Sequence, residues 1–339
     1  MAESVALVIP VRNEAETVEA LLRSVAAQTR QPDECIVIDD GSRDSTVNRI
    51  EELREGGVVD LRLRRLPPIA GHERTLSRAR NLAIEETSAS IIALADAGNV
   101  LEPDWLQRLI SPFERDPGIA ICGGFSRPGG HTWFQRCLAT VITTQIEEVD
   151  PDRFLPVGRS MAFRREWWER VGGFPEWVGN CEDLMFDLSV REAGGRFGFA
   201  PDAICVWYPS RSLRKFFAKY LSYARGDGRA GLWTRRHLIR YAAYATGAAT
   251  LAVAWQEPIA WALLALGFLA YGWRFHRRLS RIPPGEGPWS AIAARALLPV
   301  IMVTGDVAKM IGYPVGLLSR RRAKRQAALL RAGREVRPQ

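Results

Sequence analysis

Along the first hundred positions, short apolar runs alternate with longer stretches of helical period. Val5-Ala6-Leu7-Val8-Ile9 is a continuous run ending at Pro10, the pattern of a strand buried on both faces. Val18, Leu21, Leu22 and Val25 then mark one face of a helix over 14–28. Cys35-Ile36-Val37-Ile38 reads as a second buried strand, and Val47, Ile50 and Leu53 as another helix. Val59, Leu61, Leu63 and Leu66 alternate as a third strand. A helix carrying Leu76, Ala79, Leu82 and Ala83 leads into a fourth at Ile91-Ile92-Ala93-Leu94-Ala95. Strand-helix alternation of this kind predicts an α/β domain with a mainly parallel, twisted sheet. Ligands on such sheets lie at the carboxyl ends of the strands, so the polar residues following each strand are the candidates for chemistry. From about 118 to 208 the pattern mixes short strands and helices less regularly.

Past Arg240 the chain turns apolar. The stretch Tyr241–Trp273 is interrupted once, by Gln256-Glu257-Pro258. One helix over that stretch would be roughly 50 Å long at ~1.5 Å per residue, well beyond a hydrocarbon core of ~30 Å. Broken at Pro258, it makes two legs of about 16–18 residues, adequate for a transmembrane hairpin. Arg235, Arg236 and Arg240 precede the first leg, and Arg274, Arg277, Arg278 and Arg281 follow the second. A hairpin keeps both basic clusters on the cytoplasmic side, where one span would separate them. A buried helical pair in a soluble domain has the same pattern. Over 289–318, Ile292, Leu297, Val300, Val303, Val307, Met310 and Ile311 form one face, broken by Arg295, Asp306 and Lys309 elsewhere. This predicts an interfacial amphipathic helix followed by a basic tail. The expected organisation is a catalytic α/β domain over 1–232, a helical hairpin with basic flanks over 233–288, and the interfacial helix and tail over 289–339.

Composition narrows the classes. With 47% apolar and 25% charged residues, the chain is neither disordered nor polytopic. Its net charge of +8 is concentrated from Ser319 onward, where eight basic residues stand against Glu335 alone. The rest is nearly neutral, which excludes a globally basic nucleic-acid binder. Five cysteines without a CxxC pair exclude the usual zinc spacings and a disulfide framework, and suit a reducing compartment. The first apolar run is too short for an export signal, so the catalytic part is expected in the cytoplasm.

The first strand is followed by Pro10-Val11-Arg12-Asn13-Glu14, the second by Asp39-Asp40-Gly41-Ser42-Arg43-Asp44-Ser45-Thr46. Paired carboxylates before a Gly-Ser turn and a helix start make a polar pocket, and the helix N-terminus favours an anion. Asp44 followed by Ser45 and Thr46 also fits a helix cap. The fourth strand ends at Asp96-Ala97-Gly98-Asn99, where Asp96 is placed either to cap a helix or to hold a divalent cation against a diphosphate. Arg78, Arg80 and Asn81 precede that strand.

These segments together resemble the inverting family 2 glycosyltransferases of GT-A fold. The resemblance spans Val5 to about Leu232 and rests on Val8-Ile9-Pro10-Val11-Arg12-Asn13-Glu14, Asp39-Asp40-Gly41-Ser42, Ala79-Arg80-Asn81, Gly172-Gly173-Phe174 and Glu182-Asp183, in order and spacing. It implies a nucleotide-diphosphate sugar donor, with Asp39 and Asp40 holding the nucleotide and Pro10, Arg12, Asn13 and Glu14 lining base and ribose. Arg80 and Arg225 are expected on the donor side; Gly226 and Gly228 would let the Arg225 segment bend toward the diphosphate. Asp96 matches the first acid of the family's Asp-x-Asp metal motif, but Gly98 stands where the second is expected, which leaves Mg2+ or Mn2+ dependence open. The resemblance assigns Asp183 as catalytic base, taking the acceptor hydroxyl's proton, with Glu182 beside it and Trp177 as an acceptor-stacking residue. A base is needed for a sugar hydroxyl and not for an ionised lipid phosphate, which favours a hydroxyl on a membrane-associated glycan or glycolipid. A polyprenol-phosphate sugar transferase and a non-catalytic partner in a glycan-assembly complex are the alternatives. A nucleotidyltransferase would carry a Gly-rich loop with a Lys after the first strand, which 10–14 lacks. The expected partners are the donor, a lipid-linked or glycan acceptor and membrane lipids, without nucleic acid, at the inner membrane.

Overall fold

A computed structural model describes residues 3–66, 76–281 and 288–335, with side chains over 3–66, 76–280 and 289–328. The chain begins β1 (Val5–Val11), α1 (Val18–Ala26), β2 (Glu34–Asp39), α2 (Thr46–Glu55), β3 (Arg62–Arg65), α3 (Leu76–Glu85) and β4 (Ile91–Leu94). It continues through β5 (Asn99–Leu101), α4 (Trp105–Arg115), β6 (Ile119–Pro128), α5 (Trp133–Ile142), β7 (Met161–Arg164) and α6 (Arg165–Val171). Then come α7 (Glu182–Glu192), β8 (Arg196–Trp207), α8 (Leu213–Ala230), α9 (Thr234–Val253), α10 (Ile259–Arg281) and α11 (Pro288–Glu335).

Two compact units form. The first takes residues up to Arg127, Thr144–Tyr208 and the end of the chain from Gln326; the second takes Pro128–Thr143 and Pro209–Arg325. Position 232, the expected end of the catalytic domain, lies within the second unit, in which α8 packs along α11.

In the first unit one eight-stranded sheet runs β3-β2-β1-β4-β7-β6-β8-β5. The strands β3, β2, β1 and β4 are parallel. Beyond them β7 pairs antiparallel with β4 and β6, and β5 with β8. The run at 5–9 is unbroken because both faces of β1 are covered: Val5, Leu7, Ile9 and Val11 enter one core layer, Ala6 and Val8 the other. β2 divides likewise, Cys35 and Val37 against Ile36 and Ile38. Pro10 is tolerated because β4 pairs with β1 only as far as Val8, so its missing N–H leaves no ladder bond unmade there. The third strand is shorter than its apolar pattern: Val59 and Leu61 are buried, yet only 62–65 join the ladder. Arg62, Arg64 and Arg65 charge this edge against further pairing. The five cysteines are free, and all but Cys181 are buried. Burial pushes the Cys35 and Cys122 thiols up to about 12, leaving them inert.

In the second unit α8 and α11 approach at backbone distance. A Cβ on Gly228 would lie 2.1 Å from the Tyr313 carbonyl oxygen, and one on Gly316 would lie 2.2 Å from that of Arg225. Gly312 abuts the Leu221 carbonyl and Ala224 in the same way. Ala224 and Gly228 thus mesh with Gly312 and Gly316, a small-residue seam on both helices. Gly226 and Gly228 lie within the regular helix α8, not in the bend the sequence suggested. Phe216, Leu298, Ile301, Cys137 and Leu279 form the neighbouring apolar cluster.

The pair α9 and α10 forms at the expected positions, joined across Ala254–Pro258. Among the described residues, however, the one helix long and apolar enough to cross a membrane is α11, over Trp289–Ala328. The sequence reading placed that helix at the interface and the span in α9 and α10. The first turns of α9 are diluted by Arg235, Arg236 and Arg240, and the last turns of α10 by Arg274, Arg277 and Arg278. Residues 282–287 of the expected hairpin segment and the tail at 336–339 lie outside the described residues.

Gly316→Val and Gly228→Val should each lower the melting temperature by several degrees, since overpacking costs about 1–3 kcal/mol and these clashes are with backbone. Gly247→Ala, inside α9 with nothing within 4 Å of the new methyl, should not lower it and should raise it slightly, since Ala favours a helix interior over Gly. Thermal melts of the three variants check this.

Candidate active site

Because β2, β1 and β4 are parallel neighbours, the loops after them emerge side by side. Arg12-Asn13-Glu14 lies in the middle and is bonded to the loop after β2. The Asn13 N–H donates to Ser42 Oγ at 2.8 Å, the Arg43 N–H to Asn13 Oδ1 at 2.8 Å, and the Glu14 N–H to Thr46 Oγ1 at 2.7 Å. Asn13 reaches this geometry at φ +53°, in the left-handed region that Asn tolerates better than most residues. The helix expected from Glu14 starts only at Val18, since 12–17 are committed to this loop. Asp39 is buried and accepts the Ser42 N–H at 3.0 Å, shaping the turn. Asp40 faces Arg78 at 3.7 Å, both nearly buried. Asp44 accepts from Thr46, first through the hydroxyl and also through the N–H, which holds its carboxyl below the usual range.

Beside this lies the residue that organises the site. Arg80 is 1% exposed. Its two terminal nitrogens donate to Asp96 Oδ1 and to Glu182 Oε1, each at 2.7 Å. Arg80, expected on the donor side, is engaged by these two carboxylates. Burial works against its charge, but Asp96, Glu182 and Asp183 outweigh that and keep the guanidinium protonated. Burial, reinforced by Asp183, raises Glu182 to about 7, with Arg80 offsetting only part of the penalty. Gly158 closes the other side: a Cβ there would lie 2.6 Å from an Arg80 nitrogen. Its N–H donates to Asp183 Oδ2 at 3.1 Å, while the Leu184 N–H donates to Asp183 Oδ1 at 2.8 Å. Asp183 therefore stands at the start of α7, oriented by two backbone donors and partly open to solvent.

Asn81 acts on the loop before α7. It receives the Phe174 N–H at 2.8 Å and the Trp168 indole N–H at 3.1 Å, and donates to the Phe174 carbonyl and to Glu176. Gly173, at φ +77°, has no room for a side chain, because its Cβ would lie 2.9 Å from Asn81 Oδ1. Trp177 is half-buried in this loop. Arg225 belongs to the second unit, on α8.

Asp96 is 30% exposed, with one oxygen held by Arg80. Two residues on, Gly98 sits at φ +86°, where an acidic side chain would be strained, and its open side faces Glu14 Oε2 at 3.8 Å. No group of three or more His, Cys, Asp or Glu suited to a metal exists among the described residues.

Sequence reasoning missed Gly158, Glu176 and Asp187. Asp187 is fully buried one turn beyond Asp183, with neither carboxylate oxygen hydrogen-bonded. Burial, then the Asp183 charge, raises its pKa well above the ordinary carboxylate range. Its position at i+4 from Asp183 on an acidic helix start was the available signal.

The family model for glycosyl transferase family 2 matches residues 6–172, and that for glycosyl transferase family group 2 matches 91–298. The chain belongs to the family 2 glycosyltransferases. It is 29% identical over 234 residues to glycosyltransferase AglE of Haloferax volcanii, covering 68% of this chain and 74% of that one. To the succinoglycan biosynthesis protein ExoA of Rhizobium meliloti it is 26% identical over 308 residues, covering 86% and 90%. The O-antigen chain rhamnosyltransferase RfbN of Salmonella typhimurium is 25% identical over 228 residues, covering 64% and 70%. In fold, this family 2 glycosyltransferase is similar to the mannosyltransferase PcManGT of Pyrobaculum calidifontis, solved with GDP-Man and Mn2+. The TM-score is 0.56 at 20% identity, over 94% of this chain and 87% of that one. The α/β domain is the GT-A arrangement, and the enzyme is a nucleotide-sugar-dependent glycosyltransferase.

Glu182 and Asp187 both bind a proton more tightly folded than unfolded, so this glycosyltransferase should lose stability as pH rises through the window above their ordinary values, for Glu182 from 4.5 to about 7. Melting temperatures compared at about pH 5 and about pH 8 should show that fall. Glu182→Gln and Asp187→Asn should each flatten it.

Proposed function

We propose that this enzyme transfers a sugar, with inversion at the anomeric carbon, from a nucleotide-diphosphate sugar to a hydroxyl of a membrane-associated glycan or glycolipid acceptor. The observation that carries the reading is the single buried guanidinium of Arg80 holding Asp96, at the carboxyl edge of the sheet, and Glu182, next to Asp183, each at 2.7 Å. Donor-side and acceptor-side acids are thereby set on either side of one fixed cation. Pro10, Arg12, Asn13, Glu14, Asp39 and Asp40 form the donor's nucleotide cleft in this reading, and Trp177 faces the acceptor.

Asp183 accepts the acceptor hydroxyl's proton as that oxygen bonds to the anomeric carbon and the bond to the diphosphate breaks on the opposite face. The two backbone donors on Asp183 orient the carboxylate, leaving its remaining lone pairs for that proton. A divalent cation, where bound, neutralises charge on the leaving diphosphate. Asp96 is the residue that would hold it, with phosphate oxygens supplying the coordination that Gly98 lacks. Relatives named for succinoglycan and O-antigen chains support an acceptor that is a growing envelope polysaccharide. The basic clusters around α9 and α10 support attachment at the cytoplasmic face of the inner membrane.

Asp183→Asn should lower the turnover about 10²–10⁴-fold while leaving nucleotide-sugar affinity unchanged, as measured by product formation and by calorimetry. Turnover that survives the substitution points to an acceptor phosphate, which needs no base, and removes the hydroxyl reading. Mn2+ followed by electron paramagnetic resonance should bind only once a nucleoside diphosphate is present, and Asp96→Ala should abolish that binding. Tight Mn2+ binding to the free enzyme would contradict a single protein ligand.

A further inference from the structure

We infer that the second unit attaches to one leaflet of an anionic bilayer without crossing it, α11 lying in the membrane plane and the α9–α10 hairpin dipping in from that plane. The inference rests on the membrane-associated reading above and specifies its geometry.

The exposed apolar residues of α11, among them Trp289, Ile292, Val300, Val303, Val307 and Ile311, recur every three, four or eight positions and share one face. That face continues to Leu318, 86% exposed, so from Trp289 it is about 44 Å long at ~1.5 Å per residue. The opposite face is covered by helices unsuited to hydrocarbon. Ser290 accepts the indole N–H of Trp133 on α5, a helix carrying Gln135 and Arg136. From Gly305 to Gly316, α11 is lined by α8, through Phe216 near Gly305, Tyr220 beneath Lys309 and Gly228 against Gly316. Over this contact α8 carries Lys219, Arg225 and Asp227, and Arg214 and Lys215 just before it. A transverse α11 would drag these five charges through the bilayer, whereas an in-plane α11 leaves them on the aqueous side and the hairpin carries in only Glu257 at its tip.

The hairpin is pinned to α11 at Asp306. Buried Asp306 accepts from Arg240 Nε at 2.8 Å, from the Tyr244 hydroxyl at 3.3 Å and from the Tyr271 hydroxyl. From that pin the two bases part along α11. Thr234 and His237 of α9 reach Tyr313, whereas Leu279 of α10 shares a cluster with Leu298 and Ala294. Beyond the pin, residues 245–270 make no hydrogen bond or ion pair to another helix among the described residues, and Trp255, Ile259, Leu263 and Leu266 are exposed. This free part extends about 14–18 Å at ~1.5 Å per residue, one leaflet of a ~30 Å core. At the tip, the N–H groups of Ala254, Gln256, Glu257, Ala260 and Trp261 bond to carbonyls within 250–258, which satisfies most of the turn's donors locally. Backbone placed at membrane depth requires this, and an aqueous loop does not. Arg235, Arg236, Arg274, Arg277 and Arg295, all exposed around the base, complement anionic headgroups, and Trp273 and Trp289 suit the interface.

The test uses the full chain with Gln256→Cys or Leu318→Cys, expressed and collected as right-side-out and inverted membrane vesicles. A membrane-impermeant maleimide is applied, with the wild-type chain as background. The expected result is retention in the membrane fraction through a carbonate wash, with Gln256→Cys shielded in both orientations and labelled only after detergent. Labelling of Gln256→Cys from the side opposite to the catalytic unit would establish a span and overturn the inference while keeping the membrane reading. Labelling from the same side would show a hairpin that stays out of the bilayer, and overturns it equally. A chain found wholly in the soluble fraction as a dimer would assign the apolar face to a second copy, and overturns both.

Discussion

The candidate active site depends on a positive charge that water cannot reach. Arg80 is buried on α3 and holds Asp96 and Glu182 at equal distance. A buried guanidinium persists only where carboxylates compensate it, so each acid is kept in place by the cost of releasing the other. The same constraint explains Gly158, whose missing side chain leaves room for the guanidinium and whose N–H orients Asp183. Three segments far apart in sequence are thus locked by one side chain before any ligand binds. Such preorganisation holds the charged groups in fixed positions without rearrangement.

Two further devices rigidify the surroundings. The loops after β1 and β2 are joined by reciprocal bonds from Asn13, Ser42 and Thr46, so the donor cleft in the proposed reading is built from backbone held by short polar side chains. Asn81 does the same for 173–176, using its amide as both donor and acceptor. Motifs that read as ligand contacts are in part the scaffolding that shapes the cleft. Asp187, buried beneath Asp183 with neither oxygen hydrogen-bonded, adds to this pattern: burial and the Asp183 charge both disfavour its ionised form.

The second unit solves a different problem. Its helices expose apolar faces outward, so the inner contacts rely on close backbone approach and satisfied polar groups. The seam of Ala224, Gly228, Gly312 and Gly316 provides the first, and Asp306 with its three donors provides the second. Both are means of helix association that do not require burying apolar surface from water.

The sequence by itself determined the parallel half of the sheet and the acidic edge. Continuous apolar runs need cover on both faces, and polar residues after such strands gather at one edge whatever else the chain does. It also carried the family motifs, since these are local in register. Only the tertiary structure decided that Arg80 is spent on Asp96 and Glu182, that Gly158 must be small, and that α8 meshes with α11. Each of these turns on burial and on pairing between residues tens to a hundred positions apart. Periodicity along a chain reports which face of an element is covered, but not which residue meets another across the fold.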